Sequence, residues 1–207
     1  MTRAELKEWA KKKIKGKVLF LFGVIIVGSI IANISIPYGK PEIVDGQFQM
    51  NTISLALFLG FITVGLTKFL VSFINDKECS FNDLFAYAKD FFRIFVVNLL
   101  KAIFIFLWSL LLVIPGIIKA FAYSLVDMIL ADEKCADLGF QEVLDLSQDM
   151  MNGHKMDAFV LGLSFIGWHL LAMCTLFILE IWVLPYQEVT VTKFLYDIKT
   201  DYEKKNK

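Results

Sequence analysis

Leu107 to Phe121 reads LWSLLLVIPGIIKAF, an apolar run with Pro115–Gly116 at its centre and Lys119 shortly after. It sits inside a longer apolar stretch, Arg93 to Leu130, of thirty-eight residues. A single helix of that length would measure about 57 Å, nearly twice the ~30 Å of a bilayer's hydrocarbon core. Proline removes a backbone donor and clashes with the preceding turn, while glycine accepts the dihedrals of a reversal. Pro115 and Gly116 are therefore read as the tight turn of a helical hairpin, with Arg93–Ile114 running out and Ile117–Leu130 running back. A kink in one bent helix is the alternative.

The rest of the chain points to the same solvent. Of 207 residues 57% are hydrophobic and 20% charged, with 20 Phe, and the mean hydropathy is +0.62. Soluble domains run at about 45–50% apolar and about 25% charged, and one core of this size cannot hide the excess. Lipid must cover it. The balance of 21 basic and 21 acidic residues gives no net charge, and no nucleic-acid partner is expected.

Val18–Ile36 and Ile53–Ile74 are each long enough to be read as spans, and the turn-rich PYGKPEIVDGQFQMNT is read as a short linker between them. Lys68 lies near the end of the second, where its side chain can snorkel to headgroups. Ser80 and Asp83 form a capping-box-like start. It opens a short amphipathic helix carrying Phe81, Leu84, Phe85 and Ala88 on one face. Residues 131–157 give an acidic helix with an apolar stripe of Ala136, Val143, Leu146 and Met150, closed near Gly153. Ala158–Glu180 and Ile181–Ile198 repeat the hairpin pattern, with Pro185 as a second fold-back point. The last segment, with Gln187, Glu188, Thr190, Thr192 and Lys193, is too polar to face lipid and needs shelter from other helices.

Lys and Arg counts in the loops set an orientation. Residues 1–17 carry seven, the 75–92 and 131–157 loops two each, and the tail from Lys193 five. Six membrane segments in three hairpins put all of these on one side, so both termini are expected in the cytoplasm. The expected fold class is all-α: a polytopic transmembrane bundle with short interfacial helices, forming one integral-membrane domain over 1–207. Within it, 1–17 is a basic cytoplasmic segment, 18–198 the bundle and 199–207 a cytoplasmic tail.

Few residues suggest chemistry. Lys101 falls near the middle of the outgoing arm, where an unpaired charge costs about 3 kcal/mol or more. Counted from the turn, Lys101 lies about 21 Å down one arm and Asp127 about 16 Å down the other, close enough in depth to pair. Such a pair either pins the hairpin or forms a polar site on a transport path. Lys119 is expected at the outer headgroups. His169, within a span, either bonds a neighbouring helix or relays protons. His154 is expected in a solvated turn. The acidic residues Asp132, Glu133, Asp137, Glu142, Asp145 and Asp149 are spaced as the wet face of a helix. Cys79, Cys135 and Cys174 are far apart, and no HExxH, GxSxG, P-loop or GxGxxG occurs. No metal, cofactor or catalytic residue is expected.

FLWSLLLVIPGIIKAFAYSLVDMILAD, SQDMMNGHK, FVLGLSFIGWHLL and LPYQEVTVTKFLYDI together resemble a bacterial integral-membrane family catalogued as domain of unknown function 975. That family is common in Gram-positive bacteria and is distantly similar to the membrane part of glycerophosphodiester phosphodiesterases. The resemblance covers the chain to Ile198. It implies a polytopic helical fold and a bacterial cell-membrane address, and brings no catalytic residue. His154 and LFILE depart from the family pattern, which has a smaller or amide-bearing residue and a glycine-rich turn there. The expected function is a non-enzymatic membrane protein that binds membrane lipids, a peptide or another membrane protein. The alternative is a small transporter or channel built on Lys101 and Asp127.

Overall fold

The computed structural model describes residues 1–44, 47–54 and 59–206. The chain is helical, with one two-stranded hairpin. Helix α1 (Arg3–Ile14) is followed by α2 (Val18–Ala32), strands β1 (Ser35–Val44) and β2 (Gln47–Ser54), then α3 (Gly60–Ile74). Beyond two short 3-10 turns lie α4 (Phe91–Leu111), α5 (Val113–Ala122), α6 (Val126–Leu130), α7 (Phe140–Met150), α8 (Lys155–Cys174) and α9 (Glu180–Lys205).

The basic N-terminal segment is itself a helix. Thr2 Oγ1 accepts from the Glu5 N–H at 3.3 Å and Glu5 Oε2 accepts from the Thr2 N–H at 2.8 Å, a complete capping box. Gly16, at φ 81°, takes the left-handed conformation that stops α1, and α1 and α2 meet at 100°.

Both ends of the expected linker move. Helix α2 stops at Ala32 and α3 begins only at Gly60, because β1 and β2 pair antiparallel from Ser35↔Ser54 to Val44↔Gln47. The polar/apolar alternation of Gln47–Met50 is a period-2 pattern, which suits a strand better than a linker. Residues 55–58 of the expected second span lie outside the described residues.

Six full crossings are not what these helices present. Among the described residues, two are long and apolar enough to cross a membrane: the stretch Phe81–Leu110, which takes in all of α4 but its last residue, and α8. The bent α1–α2 pair would make three. Helices α2 and α3, at 15 residues each, reach about 22 Å, short of the ~30 Å needed.

The run 107–121 does reverse, three residues earlier than expected. Leu112 (φ −160°, ψ 142°) is extended and separates α4 from α5. Pro115 is the third residue of α5, where a helix leaves the N–H unused in any case. It starts the return helix and does not form the turn. Gly116 serves close packing: a Cβ there would lie 2.1 Å from Ser109 Oγ and 2.9 Å from Ser109 Cα. Gly116→Ala is expected to push the arms apart at a net cost of about 1–2 kcal/mol, measured as a lower melting midpoint in detergent.

The second reversal occupies Thr175–Leu179, with Leu176 (φ 51°) and Phe177 (φ 63°) left-handed and the Phe177 N–H donating to Ala172 O at 2.8 Å. Non-glycine residues hold this conformation at a cost. Pro185 is not a turn. It lies in the first third of α9 and removes only its own hydrogen bond, and the helix continues to Lys205.

The Ser80/Asp83 capping box forms, but it opens 3-10 turns at Phe81–Phe85 and Ala88–Asp90 in place of an α-helix. With three residues per turn, Leu84 and Tyr87 are buried while Phe81, Phe85 and Ala88 are exposed. Helix α7 buries Val143, Leu144, Ser147 and Met150, one position away from the expected stripe at Leu144 and Ser147.

One apolar core joins α1, α2, α3, α8 and α9, and a second joins α3, α4, α6, α7 and α9. Helix α9 therefore sits between the two cores, which shelters its polar residues. The outer faces are apolar to the hairpin tips, where Leu110, Leu112 and Ile114, and Leu176, Phe177 and Ile178, are exposed. A surface this apolar fits lipid better than water.

Candidate functional site

Helix α3 packs against both α6 and α9, and two cavities follow that seam. The outer, of about 450 Å³, is bordered by Val71 and Ser72 of α3, by Asn75 that caps it, and by Tyr196, Lys199 and Glu203 of α9. The inner, of about 250 Å³, is bordered by Thr63, Thr67 and Leu70 of α3 and by Glu188, Thr192 and Leu195 of α9. The steps of three and four along both helices place one cavity above the other, and Met128 borders both.

The structure brings Lys101 and Asp127 together. Lys101 Nζ lies 3.8 Å from Asp127 Oδ2, and Asp127 borders the inner cavity. The return arm makes this possible by breaking at Tyr123–Leu125, where the Ser124 hydroxyl donates to Phe121 O at 2.8 Å. Helix α6 restarts there and carries Asp127 in its first turn. Ser147 of α7 donates to Ala122 O at 2.9 Å, satisfying the carbonyl at the end of α5. Asp127 Oδ1 is buried and has no hydrogen-bond partner among the described residues. At 3.8 Å the pair is electrostatic without a direct hydrogen bond.

His169 lies elsewhere. Its Nδ1 is 2.9 Å from Glu180 Oε1 and its Nε2 2.5 Å from Gln187 Oε1, so the ring ties α8 to α9 across the second hairpin. An imidazolium would donate to both oxygens; a neutral ring donates to one and needs the Gln187 amide turned to offer its NH2. Glu180 Oε2 is buried without a partner. His169 borders neither cavity of the seam. Lys119 does not stand free at a headgroup level: it donates to Gln148 Oε1 of α7 and lies 5.3 Å from the Trp108 ring.

The outer cavity also holds an ion-pair cluster centred on Lys199. Lys199 is 7% exposed; it donates to Asp132 and to Glu203 Oε1 at 3.0 Å. Burial alone would raise the Asp132 carboxyl, but the hydrogen bonds from Lys199 and the Lys134 N–H hold it below the usual range. For Lys199 burial works the other way, and the hydrogen bonds and charges of Asp132 and Glu203 raise it. Asp132, spaced as part of a wet helix face, is instead tied to Lys199. Its partner lies 67 positions away, beyond any local spacing rule. On the same rim Lys68 lies 5.1 Å from the Tyr87 ring, and neither Lys68 nor Lys77 has a carboxylate partner among the described residues.

A further cluster binds α1 to the second hairpin. Lys7 lies 4.4 Å from the Phe165 ring centroid, and Lys11 lies 5.6–5.9 Å from the rings of Trp168, Trp182 and Tyr186. The cationic residues that set the expected orientation are thus also packing residues. Among the described residues no group of three or more His, Cys, Asp or Glu is placed to hold a metal, and the three cysteines are free.

A family model described as "Protein of unknown function (DUF975)" matches residues 1–119 and 109–201. No curated protein and no solved structure matches the chain.

Proposed function

The chain belongs to the family described as protein of unknown function DUF975, and from that premise we propose that it is a non-enzymatic, multi-pass protein of the bacterial cell membrane that binds a phosphate-bearing lipid in the seam between α3, α6 and α9. The observation that carries this reading is the outer cavity, whose rim has Lys68 and Lys77 without carboxylate partners among the described residues. A phosphate headgroup matches the two ammonium groups, and acyl chains would lie along the exposed apolar faces. The resemblance to the membrane part of glycerophosphodiester phosphodiesterases favours a lipid ligand. The seven Lys and Arg of residues 1–17 and the five of the tail favour both termini on the cytoplasmic side.

The test is thermal melting of the purified chain in detergent with added phosphatidylglycerol or with uncharged diacylglycerol. Phosphatidylglycerol at a hundred times its dissociation constant should add about 2.7 kcal/mol, and the Lys68→Gln/Lys77→Gln variant should lose most of that. Equal stabilisation by both lipids would remove the reading.

A second reading, a small transporter, is favoured by Asp127 Oδ1, a buried oxygen with no hydrogen-bond partner among the described residues, beside the inner cavity. It predicts that Lys101→Leu abolishes solute flux in proteoliposomes. Flux no greater than in empty vesicles for every solute tried would leave it without support.

A further inference from the structure

We propose that the second hairpin turns round inside the bilayer, its tip seated in the hydrocarbon of the leaflet it enters from the side of α1. The tip, residues 170–179, reads LLAMCTLFIL, ten residues without a charge. Leu170, Leu171, Met173, Leu176, Phe177 and Ile178 are 50–84% exposed. A turn facing water is built from Gly, Asn, Asp, Ser or Pro, and an apolar patch of this kind marks a surface that something covers.

The backbone shows that the cover supplies no hydrogen bonds. Every N–H from Thr175 to Ile181 donates to an oxygen of residues 171–178. The Thr175 hydroxyl donates to Ala172 O at 3.0 Å. Water would satisfy these donors without strain, whereas hydrocarbon cannot satisfy them at all. The left-handed Leu176 and Phe177 are the strain that this closure requires.

Polar groups begin abruptly at the base of the tip. His169 and Glu180, the residues on either side of it, meet at 2.9 Å. Lys11 of α1 stands 5.8 Å from the Trp168 ring and 5.9 Å from the Trp182 ring. Tryptophan beside lysine is the pairing that settles at the headgroup boundary, ring toward the acyl chains and ammonium toward the phosphates. Cys174 lies six residues, or about 9 Å, beyond Trp168. One leaflet contributes about 15 Å of hydrocarbon, so the tip ends within it.

Helix α8 is long enough to cross, but α1 lies against its middle. Lys7 donates to Ser164 O at 3.2 Å, and the Glu8–Lys12 pair of the same helix is exposed. A helix bearing such a pair does not lie at the bilayer centre. The exposed stripe Met156, Phe159, Leu163 and Ile166 recurs at steps of three and four, which suits a helix that approaches obliquely along the boundary with this face to the lipid. The crossings of a multi-pass chain then fall to the segments before α8.

This arrangement rests on the membrane reading and is independent of lipid binding in the outer cavity. The test is electron paramagnetic resonance of the full chain in phosphatidylglycerol–phosphatidylcholine vesicles, with Cys79, Cys135 and Cys174 replaced by Ser. One nitroxide at a time is placed on Leu176→Cys, Ile178→Cys or Ser164→Cys. At Leu176→Cys and Ile178→Cys, relaxation by oxygen, which concentrates in hydrocarbon, should exceed relaxation by a water-soluble nickel chelate several-fold. At Ser164→Cys the chelate should be the stronger of the two. Strong relaxation by the chelate at the tip would place it in water. Weak relaxation there by both reagents would place protein over it, a second copy included. Dominance of oxygen at Ser164→Cys would show a full crossing. Each of these three results overturns the proposal. Failure of the chain to float with the vesicles would overturn the membrane reading along with it, whereas the lipid response of Lys68 and Lys77 stands or falls separately.

Discussion

Lys199→Met is expected to destabilise the fold by about 2–4 kcal/mol, because it strands the Asp132 carboxylate in a site only one-fifth exposed. A fully buried pair broken on one side costs about 3–5 kcal/mol; the partial exposure of Asp132 and its remaining bond from the Lys134 N–H at 3.0 Å lower that. Asp132→Asn combined with Lys199→Met should cost less than the sum of the single changes, since the stranded charge is then gone. The same pair sets a pH window. The carboxyl of Asp132 is held below its ordinary value, so its contribution is complete above about pH 4 and lost as pH falls through the lowered value. The ammonium of Lys199 is held above its ordinary value, so its contribution is complete below about pH 10 and lost as pH rises through the raised value. Melting midpoints against pH should therefore fall at both ends, and Lys199→Met should flatten the alkaline limb. An unchanged profile in the variant would show that the pair contributes nothing.

Gly65→Ala is expected to cost about as much, through sterics. A Cβ on Gly65 would lie 2.2 Å from Leu84 O, 2.6 Å from Leu84 C and 2.7 Å from Asp83 O. These are backbone atoms that cannot swing aside as a side chain would. They belong to the turn capped by Ser80 and Asp83, and Leu84 is 0% exposed in the core beneath it. Alanine's helix propensity returns about 1 kcal/mol, leaving a net loss of roughly 2–4 kcal/mol with the turn displaced. Gly23→Ala is the control, since a Cβ there meets nothing within 4 Å. That change should stabilise the chain by about 0.5–1 kcal/mol. If the two substitutions shifted the melting midpoint alike, the close approach of α3 to the 81–85 turn would be disproved.

Particular residues separate what could be read in advance from what could not. Fold-back of the 93–130 run followed from length alone, since no bilayer accommodates one helix of that size. The depth match of Lys101 and Asp127 followed from counting residues along two arms of known rise. Placing the turn at Pro115 failed because proline is as well suited to the first turn of a helix as to a reversal. Pro185 failed for the related reason that one missing hydrogen bond does not end a helix packed between two cores. The β1–β2 pairing has a local signal in the alternation of QFQM, which reading 37–52 as a linker does not use. Leu176 and Phe177 in left-handed conformations carried no composition signal.

Apolar content, helix periodicity and basic clustering are properties of the chain taken a few turns at a time. They are enough to specify helices, hairpins and a lipid-compatible surface, because burial of apolar side chains and satisfaction of backbone hydrogen bonds act locally. Where charges meet is another matter. Lys199 reaches Asp132, and Glu188 shares a cavity with Asp127 and Thr63, only once α3, α6 and α9 have packed together. Coulomb attraction and the cost of desolvation depend on distances and surroundings that no spacing along one chain contains, so the charged seam came from tertiary packing.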